Sequence, residues 1–227
     1  MASINSIRSG QPERKSQVDA WFNTELEDAC ASWGFGSVEG HFNASTFGNP
    51  CNRFHWASFH GRLPKKKLTG KFSRLLQHGG TFEDRMEKYL MKMNILKARE
   101  VPVSFIEGDL KITGRIDFLV SHINLGLTVL ELKTINSKGY RALKGKPKEE
   151  HVFQVQMYLE SRNLNTGLIA YENKDDQDIQ TFRVKRDTDY WAEQVQRGHA
   201  IIAMDSPPEK CTSKYPRYCD CQRANWD

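Results

Sequence analysis

Lys111-Ile-Thr-Gly114-Arg-Ile-Asp117 and, shortly after it, Leu125-Gly-Leu-Thr-Val-Leu130-Glu131-Leu-Lys133 decide how this chain is read. The first stretch alternates apolar and polar residues, as a half-buried strand does. The second is an apolar run suited to a buried strand, closed by two charges. The residues between them, Ser121 to Asn124, suit a hairpin turn. Residues two apart on a strand share a face, so Glu131 and Lys133 point the same way. Antiparallel pairing then brings one carboxylate from each strand to a single point, with an ammonium beside them. Hard divalent cations such as magnesium take oxygen ligands, and an adjacent lysine can steady an attacking water or phosphoryl charge. This layout suits metal-assisted hydrolysis of a phosphodiester. Charges closing an apolar strand are costly to bury without such a purpose; the competing reading is a solvated charge group on a sheet edge.

The rest of the chain supplies the elements around that pair. His151 to Arg162 has helical periodicity, with Val152, Val155, Met157 and Leu159 apolar, and Gln154 and Tyr158, four apart, share one face. Upstream, His78 to Leu90 opens on Gly79 and Gly80 and then turns helical, carrying Glu83 and Glu87 one turn apart. Asn165 to Tyr171 and Asp178 to Val184 read as strands, the second antiparallel, and Asp187 to Met204 as a closing helix with a stripe of Tyr190, Trp191, Val195, Ala200 and Ile201. Near the N-terminus, Val18, Trp21, Phe22, Leu26, Ala29 and Trp33 form an apolar helical stripe that includes Cys30 as a core residue. This order predicts an α/β fold with a central mixed β-sheet flanked by helices. At 227 residues the chain is expected to be one domain: a helical segment 1–75, a core 76–205 and a cysteine-bearing tail 206–227.

Net charge is +5, so where the charges lie matters more than their sum. One basic stretch runs from Arg62 through Lys65, Lys66, Lys67 and Lys71 to Arg74. Another contains Lys138, Arg141, Lys144, Lys146 and Lys148. The second lies between Glu131-Leu-Lys133 and the Gln154 helix, where a flexible basic loop would meet a phosphate backbone without reading sequence; a solvated surface loop is the alternative. Tyr140 within it could stack on an unpaired base. Met1 to Lys15 is polar and no apolar run approaches a membrane span, so a cytoplasmic protein is expected. Disulfides are rare there, which makes Cys51, Cys211, Cys219 and Cys221, all in polar or turn-rich stretches, better read as metal ligands.

Gly114-x-x-Asp117, Glu131-x-Lys133 and Gln154-x-x-x-Tyr158, in that order, resemble the PD-(D/E)XK nuclease superfamily, and within it the RecB-like branch, over about residues 78 to 173. The resemblance implies a restriction-endonuclease-like fold and a Mg2+- or Mn2+-dependent DNA nuclease. It also implies an exonuclease on DNA ends or single strands, serving recombination, repair or DNA processing, with recombination or replication proteins as further partners. In that reading Asp117 and Glu131 bind the metal, Lys133 serves the water or the phosphoryl charge, and Gln154 and Tyr158 orient the strand. Related nucleases carry Gly, three residues, then His or Glu on the upstream helix, which selects Glu83, with His78 and Glu87 as competitors. The small standalone form resembles bacteriophage-encoded members, which would place it in a host cytoplasm. Two other readings stay open: a catalytically silent nuclease-fold module that binds DNA or protein, and a sequence-specific restriction endonuclease.

One early cysteine with three at the far end resembles the iron–sulfur subgroup of RecB-like nucleases, including the CRISPR-associated ones. There a [4Fe-4S] cluster ties the N-terminal segment to the C-terminus. Pro50-Cys51-Asn52-Arg53 is similar to that group's Cys-Pro-Arg motif, with Asn in place of the proline. The C-terminal spacing departs from the group's, so structural zinc is the alternative for Cys51, Cys211, Cys219 and Cys221.

Overall fold

A computed structural model describes residues 17–33, 39–65, 67–209, 221 and 224, and the structural statements below concern these. In chain order the elements are α1 (Gln17–Cys30), β1 (Ser32–Trp33), β2 (Phe42–Asn43), α2 (Ala44–Phe47), α3 (Asn52–Phe59), β3 (Lys67–Leu68), α4 (Gly70–Lys92), β4 (Leu96–Glu107), β5 (Leu110–His122), β6 (Gly126–Ile135), α5 (Ser137–Ala142), α6 (Glu149–Arg162), β7 (Thr166–Asn173), β8 (Ile179–Lys185) and α7 (Thr188–Ile202).

Strands β4, β5 and β6 form an antiparallel meander, β7 lies parallel to β6, and β8 closes antiparallel to β7. The parallel step needs a long crossover, which α5 and α6 supply. Helix α4 covers one face of the sheet, where Phe82 and Leu90 pack on Phe118, Val120, Leu130, Leu132 and Ala170. The opposite face carries α6 and α7, with Phe153, Val155, Met157, Leu159, Trp191 and Ile201 packed on Ile112, Leu119, Val129 and Ile169. The result is the expected mixed α/β core with a central mixed sheet between helical layers. No helix among the described residues is long and apolar enough to cross a membrane.

Several local expectations are overturned, each for a physical reason. Helix α4 starts at Gly70, not after the glycines, because Thr69 caps it by accepting the Phe72 N–H. Gly79 and Gly80 then lie inside a 23-residue helix, where the packing of Phe82 and Leu90 outweighs a glycine cost of about 1 kcal/mol each. Helix α6 is not amphipathic, since every residue from Phe153 to Leu159 is buried. Its buried Gln156 is satisfied by the Lys185 carbonyl and the Asp187 N–H. Gly167 lets it approach β7, as a Cβ there would sit 2.3 Å from Val155 Cγ1. On α1 the expected core stripe fails at Trp21 and Phe22, which are 61% and 57% exposed. That helix instead rests on α4 through Glu27, which accepts the Lys71 N–H and pairs with Arg74, and Cys30 is half-buried.

The second basic stretch is not wholly a flexible loop. Lys138 and Arg141 lie on α5, whose first turn is capped by Asn136 and whose Ser137 is held by Asp175 beyond β7. Tyr140 is half-buried against the main core. At the other end of the molecule, Arg197 of α7 donates to the carbonyls of Phe47 and Asn49 and to Asn52 Oδ1. Trp56 and Arg53 donate to the carbonyls of Met204 and Pro208. The segment from α2 to α3 is thereby seated on the C-terminal helix and the residues after it.

Candidate active site

The residues singled out by the motifs meet where the sheet forks. The β5–β6 ladder ends at Phe118↔Leu130. Beyond that point β2 runs along the same edge of β5, pairing through Phe42↔Ile112 and Asn43↔Thr113. Across the gap the Leu132 N–H donates to Asp117 Oδ2 at 2.7 Å. On the opposite edge of β5 the register with β4 runs unshifted from Ala98 to Glu107, but Glu100, which adopts φ +53, and Asp117 facing it are the one position where the two strands do not pair. Alternation breaks here: Ile116 and Phe118, two apart, belong to opposite core layers. Asp117 is thus turned out of the ladder into the fork.

Glu131 and Lys133 face α6 together. Lys133 Nζ donates to Glu131 Oε1 at 2.5 Å and to Gln154 Oε1 at 3.0 Å. Gln154 Nε2 donates to the Tyr158 hydroxyl at 2.8 Å, and that hydroxyl donates to the Arg115 carbonyl at 2.8 Å. Both motif residues of α6 are buried at the back of the site, joined to Lys133 through the Gln154 side chain. The chain explains the glycine of the first motif as well. A Cβ on Gly114 would lie 2.7 Å from Tyr158 Cε1 and 3.0 Å from Ala44 Cβ. Gly114→Val is therefore expected to push Tyr158 off the Arg115 carbonyl and loosen Gln154. Overpacking of this kind costs about 1–3 kcal/mol in stability, and turnover should fall at least about tenfold as Lys133 loses its orientation. Denaturant unfolding and a single-turnover assay read the two effects separately; unchanged turnover would release Tyr158 from any role.

The charges in the fork are strained. Burial, then repulsion from Glu131, pushes Asp117 up to about 7, against the Leu132 N–H, Lys133 and Arg115. Burial also pushes Glu131 up, opposed by the Lys133 ammonium. Burial works against the Lys133 ammonium, yet Glu131 and Asp117 hold its pKa above the ordinary value. Glu83, on α4, is raised by burial and by Asp117. Tyr158 is pushed far up by burial and stays a neutral phenol.

An open cleft of about 440 Å³ collects these groups: Glu83, Asp117, Glu131, Lys133, Gln154 and Tyr158 all line it. His78 is exposed and away from the cleft lining, and Glu87 is bound to Arg99 at 2.6 Å. Of the three upstream candidates, Glu83 is the one placed at the cleft. Lys138, Arg141, Lys144, Lys146 and Lys148 are exposed but do not line it. The cleft wall opposite β6 was missed in the sequence: Asn43, Ser45, Thr113 and Arg115. Asn43-Ala-Ser45 carries a helix-cap signal, and Asn43 Oδ1 does accept both the Ser45 N–H and hydroxyl. That signal marks a cap and says nothing of which strand lies next to it.

Among the described residues no group of three or more His, Cys, Asp or Glu side chains converges to metal-binding distance. In the fork the Lys133 ammonium, not a third carboxylate, partners Glu131. The oxygen donors nonetheless suit a hard divalent cation. Glu131 Oε2 is buried and accepts no hydrogen bond, and it shares the fork with the half-buried carboxylate of Asp117. Cys51 and Cys221 are both buried, whereas Cys211 and Cys219 lie outside the described residues. Cys51 caps α3, its sulfur accepting the Phe54 N–H at 3.3 Å.

Comparison of the whole chain with solved structures now bears on this geometry. An alkaline exonuclease from Laribacter hongkongensis superposes with a TM-score of 0.50 at 18% identity, over 79% of this chain and 91% of its own. The two chains are similar in fold. A second structure, of a protein designated SSO0001, gives a TM-score of 0.56 at 21% identity over 92% of this chain and 96% of its own. No protein-family model and no curated protein matches the chain. At these identities the likeness concerns the backbone, and the shared fold reaches this chain without a closely related sequence.

Proposed function

We propose that this protein is a metal-dependent DNA nuclease of the PD-(D/E)XK type, acting on DNA ends or single strands. The observation that carries the reading is the fork. It is a place where two strands separate so that Asp117, Glu131 and Lys133 share one cleft, with Glu83 reaching in from α4. Asp117, Glu131 and Glu83 would hold Mg2+ or Mn2+, which supplies Lewis-acid polarisation of the phosphodiester and a more acidic water. Lys133 spends two of its three donors on Glu131 and Gln154; the third is left for a phosphoryl oxygen or the attacking water. Gln154 and Tyr158 act through Lys133 as positioning residues. The exonuclease fold supports the same class of reaction.

The test is cleavage of a single strand labelled at either end, beside closed circular DNA, with Mg2+, with Mn2+ and with EDTA. Metal-dependent release from an end, with the circle intact, is expected. No cleavage under any condition would defeat the reading, and discrete fragments from the circle would replace it with a restriction endonuclease.

For the second basic stretch we assign backbone contact. Changing Lys144, Lys146 and Lys148 together to Ala is expected to weaken single-strand binding and to reduce the slope of log K against log salt by up to about 2. Anisotropy titrations in EDTA measure it, and an unchanged slope would make the stretch plain solvated surface. For the cysteines we assign one centre held by Cys51, Cys211, Cys219 and Cys221, a [4Fe-4S] cluster with zinc as the alternative. Support comes from the buried Cys51 sulfur, which takes a backbone N–H at the start of α3. Anaerobically purified protein should be brown, with iron by elemental analysis, and Cys51→Ala should bleach and destabilise it. One zinc per chain would keep the ligand set; protein without metal would remove the centre.

A further inference from the structure

Helix α6 carries a third polar residue on the face of Gln154 and Tyr158. His151 precedes Gln154 by three residues and Tyr158 by seven, so the three form one stripe. His151 lies at the end of the stripe next to the basic stretch, and it is the more accessible member, with 14% of its side chain exposed. Its Nδ1 is 2.6 Å from the hydroxyl of Tyr171. Tyr171 is fully buried on β7, beside Lys133 of β6 in the parallel register.

The hydrogen positions follow from counting donors. The Tyr171 oxygen accepts the Lys148 N–H at 3.1 Å, a contact whose direction is not in doubt because an amide can only donate. The buried phenol must then give its own proton to an acceptor. Among the described residues His151 Nδ1 is the acceptor within reach. That leaves the proton of the neutral imidazole on Nε2. This N–H has no acceptor at hydrogen-bonding distance among the described residues, the Glu150 carboxylate standing 3.6 Å off on an exposed side chain. Burial, with Lys133 and Lys148 nearby, holds His151 down at about 3, so it does not become a third cation there.

We infer that His151, locked by Tyr171 as the Nε2–H tautomer, is a substrate-binding residue that donates to a backbone phosphate of the bound strand, one helical turn from Gln154 and between Lys133 and Lys148. The assignment rests on the nuclease reading and extends it: it adds a neutral contact to a site otherwise served by ammonium and guanidinium groups. A neutral donor has a distinct signature. It contributes affinity without releasing a counterion, whereas each lysine contact steepens the salt dependence.

The experiment is binding of a labelled single-stranded DNA oligonucleotide in EDTA, by fluorescence anisotropy, across a range of salt. His151→Ala is expected to weaken binding roughly 10- to 150-fold, the range of one hydrogen bond to a charged group, with the salt slope unchanged. Lys148→Ala should lower that slope by about 0.7. His151→Gln, which can place an amide N–H where Nε2 stood, should recover most of the loss. Tyr171→Phe, which unlocks the tautomer, should reproduce part of it, and adding His151→Ala to Tyr171→Phe should bring the loss to that of His151→Ala and no further. Wild-type affinity in His151→Ala, or a loss that comes with a flatter salt slope, would overturn the assignment while leaving the nuclease reading in place. A loss in His151→Ala that Gln does not recover would also overturn it, since that pattern belongs to packing. Wild-type protein that binds no DNA would remove both.

Discussion

Asp117→Asn is expected to abolish cleavage, by on the order of a thousandfold or more, and at the same time to stabilise the metal-free protein at pH 8. The two effects have one source. Burial and the neighbouring Glu131 push Asp117 up to about 7, well above its value in an unfolded chain. Below about 3.8 both states hold the proton and the residue contributes no difference. Between there and about 7 the unfolded chain gives up its proton while the folded protein keeps it, so stability falls with rising pH. Above 7 the full penalty remains, at most about 4 kcal/mol. Asparagine keeps an oxygen for the Leu132 N–H and removes the charge. Denaturant unfolding in EDTA at pH 5 and pH 8 should show wild type losing stability with pH more steeply than the variant. Adding Mn2+ should stabilise wild type and leave the variant unmoved. Full cleavage by Asp117→Asn would take Asp117 out of the chemistry, and equal stability at both pH values would mean the fork is not strained.

Lys133→Met is expected to be the most destructive single change for stability and to cut turnover as well. Glu131 is nearly inaccessible, and Lys133 is its ion-pair partner. Removing one member of a buried pair leaves a charge uncompensated and typically costs about 3–5 kcal/mol. Methionine fills a similar volume, so lost packing contributes little. Turnover should fall by roughly a hundred- to a thousandfold, because the donor aimed at the phosphoryl group is gone. The two losses separate in the double variant Glu131→Gln with Lys133→Met, which should regain stability and stay inactive. A folded, active Lys133→Met protein would show that the ammonium is only a structural counter-charge to Glu131.

How far the molecule could be read in advance depended on how local each signal was. Asp117, Glu131, Lys133, Gln154 and Tyr158 were legible because each sits in a short pattern on a well-marked element, and the structure does bring all five to one cleft. Their order along the chain also implied the mixed sheet and its flanking helices. The far wall was not legible. Strand β2 is two residues long and pairs with a strand some seventy positions away, so no periodicity announces that Asn43 and Ser45 face Asp117. Gly79 and Gly80 misled in the other direction, since local propensity marks a break that tertiary packing overrides. Trp21 and Phe22 misled again: apolar periodicity shows that a helix has a greasy face, not that anything covers it. Nor did the sequence hint that Gln154 and Tyr158 would be joined to Lys133 through the Gln154 side chain. That follows from hydrogen-bond direction, which spacing cannot encode.

The seat that Arg197 provides has a consequence for how this protein can vary. A cleft wall belonging to the sheet would be held by a ladder, many weak bonds that tolerate the loss of any one. The α2 wall rests on the packing of Phe47 against Phe42 and Phe153 and on a single guanidinium from α7, spread over Phe47, Asn49 and Asn52. Arg197 can hardly drift, because lysine cannot reproduce a planar fork with several fixed donors. Between Asn43 and Asn52, Ala44 and Phe47 are fully buried and Gly48 abuts Glu150, so they are constrained by packing as well, whereas Ser45, Thr46 and Pro50 are exposed. Among descendants of this sequence, the cleft on that side should therefore vary at the exposed Ser45, while Ala44, Phe47, Gly48 and the arginine stay put.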